Sequence, residues 1–68
     1  MPTPPAVIEQ TSVNGYTVST IQYVRGDYET MVFDADENTV ERFTHGTSDR
    51  IDAICYHRVT VELLKLGA

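Results

Sequence analysis

The chain has 68 residues, 41% of them hydrophobic, with ten acidic against five basic side chains and a formal net charge of −5. That length allows one domain with a thin core, burying only about 60% of the surface its unfolded chain exposes. The acidic balance speaks against binding nucleic-acid phosphates or anionic membranes, both of which call for Lys and Arg. It leaves a basic protein partner open.

In chain order, the opening MPTPPAVIEQ holds three prolines, no basic residue and no long apolar segment. Residues 1–5 are therefore expected to be a flexible, Pro-stiffened tail rather than a secretory signal. Residues 6–68 are expected to form one α+β domain. Two β-rich runs, AVIEQTSV and YTVSTIQYV, flank Asn14-Gly15. Asn-Gly between such runs predicts a hairpin, because a type I′ turn needs positive φ at both central residues. The second run alternates Tyr16, Val18 and Thr20 against Thr17, Ser19 and Ile21.

Arg25-Gly26-Asp27 follows, then YETMVF. The tripeptide occurs as an adhesion signal in some extracellular proteins. A turn accounts for all three residues: Gly for positive φ, Asp for a side-chain-to-backbone bond, Arg as a solvated flank. A three-residue loop here sets Ile21 opposite Met31 and Ser19 opposite Phe33. A two-residue turn sets Ile21 opposite Val32. Both registers stay open at this level.

Residues 34–38 (DADEN) read as a polar turn, and residues 39–43 (TVERF) as a short further strand. Asp34, Asp36 and Asn38 have the spacing that opens a calcium loop. The match then fails, since Thr39 stands where Gly is required and His45 where Glu is required. From there a helix is predicted, capped by Thr47 or Ser48, with Asp49 and Asp52 at its positive end, Lys65 at its negative end and Gly67 as a stop. The β-branched richness of CYHRVTVELL keeps a strand as the alternative for residues 55–64.

On the helix, Ala53, His57, Val61 and Leu64 share one face with Ile54 beside them. Cys55, Tyr56, Val59 and Leu63 spread over the other side. A helix apolar on two sides is ordinarily buried on two sides. A chain this short has too little protein to do that, so those four residues are the candidate partner-binding face, toward a second copy or another protein. The expected core is Val18, Ile21, Met31, Phe33, Ile51, Ile54, Val61 and Leu64. The expected fold is a small antiparallel sheet of two to four strands in consecutive hairpins, packed by one C-terminal helix.

No motif specifies a reaction, and no catalytic, cofactor-binding or metal-binding residues are assigned. On a helix, Cys55 and His57 point about 200° apart and cannot hold one ion. His57, on the core-facing stripe, is expected to be a histidine with a satisfied ring nitrogen. Cys55 is expected to be a small buried side chain, and a single cysteine is compatible with a reducing cytoplasm. A second candidate surface is the acidic cluster Asp27, Glu29, Asp34, Asp36, Glu37 and Glu41, with no Lys or Arg from Asp27 to Glu41. Aligned on one surface, these carboxylates would imitate nucleic-acid phosphates toward a basic host protein.

Val18-Ser19-Thr20-Ile21, Tyr28 to Phe33 (YETMVF), Ala35-Asp36-Glu37, and Ala53 with His57 resemble the central segment of a group of small uncharacterised proteins of actinobacteria and their bacteriophages. The chain is shorter than that group between Asn38 and Ile51. The resemblance implies a β-hairpin-plus-helix fold and a phage accessory role. It brings no catalytic residues.

Overall fold

A computed structural model describes residues 5–45 and 49–67. Four strands, β1 (Ala6–Val13), β2 (Tyr16–Gln22), β3 (Tyr28–Phe33) and β4 (Thr39–His45), precede one helix, α1 (Arg50–Lys65). The sheet runs β1-β2-β3-β4, each neighbour antiparallel. This is the α+β fold expected from the sequence, and residues 55–64 are helical rather than extended. Of the expected tail, residues 1–4 lie outside the described residues; Pro5 is exposed just before β1.

Three turns set the register. Asn14 (φ 49°) and Gly15 (φ 82°) both take positive φ, as a type I′ turn requires. The next two turns share one design. Tyr23 N donates to Asp27 O at 2.8 Å and Gly26 N to Tyr23 O at 2.8 Å. Asp34 N donates to Asn38 O at 2.9 Å and Glu37 N to Asp34 O at 3.0 Å. The fourth residue of each is left-handed, Gly26 at φ 106° and Glu37 at φ 65°.

The loop between β2 and β3 is therefore Val24-Arg25-Gly26, one residue earlier than the tripeptide. Neither expected register occurs. Ile21 pairs with Glu29, Ser19 with Met31 and Thr17 with Phe33.

Paired residues share a face of a sheet. On one face stand Thr11, Val18, Val32 and Glu41, with Thr20, Thr30 and Phe43 a pair of residues along. The helix covers this face, resting on β1, β2 and β3. Ala53, His57 and Val61, four residues apart, are its buried stripe. Val18, Val32 and Val61 form the buried cluster, with Val13, Tyr16 and Leu64 packed against it. Burying each such side chain contributes about 1.5–3 kcal/mol.

The expected core is corrected accordingly. Val18 and Val61 are in it and Leu64 joins at its margin. Ile21 is buried, but on the reverse face, where Met31 and Phe33 are only half-buried. Ile51 is 71% exposed. Both faces of β2 and β3 carry apolar residues, so alternation could not say which one the helix would choose.

Asp49 is the helix N-cap, its carboxylate accepting from Ile51 N at 2.9 Å. The expected caps Thr47 and Ser48 lie outside the described residues. At the other end Leu66 N donates to Glu62 O and Leu63 O, and Gly67 takes φ 79°, so the predicted stop is where the helix ends. Asn14 Nδ2 donates to Leu64 O at 2.9 Å, tying the first hairpin turn to the last helical turn.

Candidate functional site: the α1 and β4 groove and the histidine chain beneath it

Because α1 lies over the first three strands, the helix-side face of β4 before His45 is left open. An open groove of about 380 Å³ runs between them, lined by Val32, Val40, Glu41, Phe43, Thr60 and Leu63, with Tyr16 and Leu64 at its inner end. Val40, Phe43 and Leu63 are each roughly half exposed. Among the described residues β4 is also an edge strand, so the groove's outer border offers backbone groups to a further strand or partner.

Of the four residues expected to bind a partner, Leu63 lines this groove directly. Tyr56 stands on the same flank two turns earlier and stacks on His45 of β4, ring centroids 4.6 Å apart. Val59 is exposed on the shoulder above. Cys55 is exposed, contrary to the expected burial, and does not line the groove. The sequence missed Val40 and Phe43, because a strand of mostly exposed residues gives no sign that its neighbour's helix stops short of it.

The acidic residues do not gather. Asp27 sits in the turn before β3, paired with Arg25. Asp34, Asp36 and Glu37 occupy the turn after β3, at the opposite end of the sheet. Glu41 lines the groove on the helix side. Glu29 is buried on the reverse face, where Tyr23 Oη and Thr44 Oγ1 donate to its carboxylate at 3.1 and 3.3 Å and Arg42 Nε lies at 3.6 Å. That carboxylate raises the Tyr23 phenol above its ordinary value, chiefly through the hydrogen bond. Six carboxylates divided among two ends and two faces make no continuous phosphate-like surface.

Asp34 has a local task. Its Oδ1 accepts from Asp36 N and Asn38 N, and these backbone donors, Asn38 first, hold its carboxyl below the usual range. An oxygen so occupied is spent on the turn rather than offered to calcium. Among the described residues no three of His, Cys, Asp and Glu are grouped to hold a metal. An open depression of about 410 Å³ beside this turn, between Gln10, Thr17 and Phe33, brings together no histidine or cysteine.

Beneath the helix, under the N-terminal half of the groove flank, lies an uninterrupted polar chain. Thr11 Oγ1 is 2.9 Å from His57 Nε2; His57 Nδ1 is 2.8 Å from Thr20 Oγ1; Thr20 Oγ1 is 2.7 Å from Thr30 Oγ1; Thr30 Oγ1 is 2.8 Å from His45 Nε2. It joins β1, α1, β2, β3 and β4. Thr20, Thr30 and His57 are almost wholly buried and His45 is 6% exposed. Burial holds both imidazoles below the ordinary histidine value. Glu9 opposes this at His57 and Glu29 at His45, while Arg58 adds to it at His57. Glu9 Oε2 is enclosed without a hydrogen-bond partner, while its Oε1 lies 3.9 Å from Arg58 Nε.

The expected satisfied ring nitrogen of His57 is thus met twice over. The threonines carried no sequence signal of their own, since Thr is an ordinary strand residue. The arrangement can hold, orient and pass a proton, and it fixes the helix by directional bonds where the valine cluster ends. Among the described residues no helix is long and apolar enough to cross a membrane. Comparison with protein-family models, curated proteins and solved structures gave no match.

Proposed function

We propose that this chain is a non-enzymatic accessory protein that acts by protein–protein contact, seating a basic amphipathic helix of a partner in the groove between α1 and β4. The observation that carries this reading is the uncovered apolar floor of Val32, Val40 and Phe43 beside Leu63. Packed helices lie about 8–10 Å apart, and strands about 4.8 Å apart. With α1 centred over β2, the next helix position on this face falls above β4, where the groove is.

Charge favours a basic occupant over a second copy. The groove is lined by Glu41 and by no Lys or Arg. Self-association would bring together two chains of net −5. The exposed free thiol of Cys55 supports action in a reducing compartment such as the cytoplasm. The resemblance of YETMVF to small actinobacterial and phage proteins supports an accessory role. The acidic-decoy reading needs one carboxylate surface, and the separation of Asp27, Glu29 and the residues 34–37 from one another gives it no footing.

Photo-crosslinking residues placed singly at Val40 and Leu63, with Val24 as control, test the proposal in lysate of the native host. Crosslinks from positions 40 and 63 into one basic amphipathic segment support it. A crosslinked dimer of the 7.6 kDa chain, or equal capture from position 24, would overturn it.

A further inference from the structure

The buried chain through His57 and His45 has a capacity that follows from counting hydrogens. Its four links each need one hydrogen. Each threonine hydroxyl supplies one, and among the described residues Thr20 and Thr30 have no side-chain or backbone partner outside the chain. If Thr20 donates to Thr30, then His57 must donate from Nδ1, and Thr30 is free to donate to His45 Nε2. If Thr30 donates to Thr20, then His45 must donate from Nε2, and Thr20 is free to donate to His57 Nδ1. With both rings neutral, every link made and both buried threonine hydrogens bonded, the two histidines carry the same tautomer, both Nδ1–H or both Nε2–H.

One extra proton fits either state. A doubly protonated His57 donates to Thr11 and Thr20, and Thr20 and Thr30 pass the direction on to His45 as acceptor. A doubly protonated His45 does the reverse. Two extra protons do not fit. Both rings would then donate inward, one threonine would accept twice, and its own buried hydrogen would have nothing to bond. Two cations would also stand three hydrogen bonds apart in a buried setting.

We propose that Thr11, His57, Thr20, Thr30 and His45 form a single-proton site, in which protonation of one histidine excludes protonation of the other while the helix stays on the sheet. A carboxylate acts on each ring, so the limit to one proton comes from the hydrogen-bond count and not from the surrounding charge. Glu9 of β1, with its unpartnered Oε2, faces His57; Arg58 lies beside His57 on its own helix. Tyr28 of β3 pairs with His45, Tyr56 of α1 stacks on it, and Glu29 acts on it from across the sheet. β2 presents only Tyr16 and uncharged side chains on this face. An unbonded buried donor lowers affinity for the second proton about tenfold or more. The site is independent of whether the groove binds a partner.

The chain has only two histidines, so a long-range 1H–15N imidazole spectrum of the 15N-labelled protein reads both. At pH 8 the expected result is one tautomer shared by both rings. On acidification one ring becomes imidazolium, and the other stays neutral until the amide spectrum reports unfolding. Thr30→Ser keeps this behaviour; Thr30→Val cuts the chain, and where it folds its two rings titrate independently. Opposite tautomers at pH 8, or two imidazoliums in the folded wild-type protein, would overturn the proposal without need of any variant.

Discussion

His57 of the helix and Thr20 of the second strand are joined by a 2.8 Å bond between Nδ1 and Oγ1, and both side chains are all but closed off from solvent. The hydroxyl that meets the ring also meets Thr30, so removing it strands two partners at once. Thr20→Val is expected to destabilise the protein by about 1–3 kcal/mol, the cost of buried groups left unbonded. The double variant Thr20→Val with Thr30→Val should cost less than the two singles added, because the second removal deletes an orphan made by the first. Urea midpoints of the four proteins give this directly.

Stability should depend on pH with a sign set by the two histidines. Both are held below the ordinary value of about 6.5 by burial, so between the folded and unfolded values the unfolded chain binds more protons. Stability is then fully present above about pH 6.5 and falls as the pH drops below it toward the folded values. His57→Gln should flatten that part of the profile. Urea midpoints taken from pH 8 to pH 5 check it, and a midpoint that rises on acidification through this window is the contrary result.

The two turns of shared design differ at their fourth residue, and only one uses glycine. Glu37 pays for φ 65° where Gly26 does not. Glu37→Gly is expected to raise stability by about 0.5–1 kcal/mol, the left-handed penalty less the added chain entropy. Gly26→Ala, at φ 106°, should lower it by at least about 1 kcal/mol. Thermal unfolding of both variants distinguishes these outcomes.

The helix cap can be read the same way. Asp49 both accepts from Ile51 N with its side chain and accepts from Ala53 N with its carbonyl. Asp49→Ala should cost about 0.5–2 kcal/mol, measured by denaturant unfolding followed at the helical circular-dichroism band.

Much of the fold was legible because its signals are local. Asn14-Gly15, the alternation of YETMVF, and the spacing of Ala53, His57 and Val61 are each decided within a few residues. Register between β2 and β3 was not, since Gly26 serves the fourth position of a turn that begins at Tyr23, and nothing in Arg25-Gly26-Asp27 marks where the turn opens. The site was legible only in part. Tyr56, Val59 and Leu63 stand out on a helical projection, whereas Val40 and Phe43 matter only because α1 stops short of β4. Thr20 and Thr30 are ordinary strand residues in the sequence, and only the fold shows that His57 bonds to the pair they make.

The docking claim itself is tested most directly by amide NMR titration of the protein with two designed 14-residue helices, one of Leu and Lys, the other of Leu and Glu. With the Leu–Lys helix the expected shifts concentrate at Val40, Phe43, Thr60 and Leu63 and weaken with salt, and the Leu–Glu helix gives none. Shifts centred on the reverse face around Met31 and Phe33, or equal responses to both helices, would contradict it.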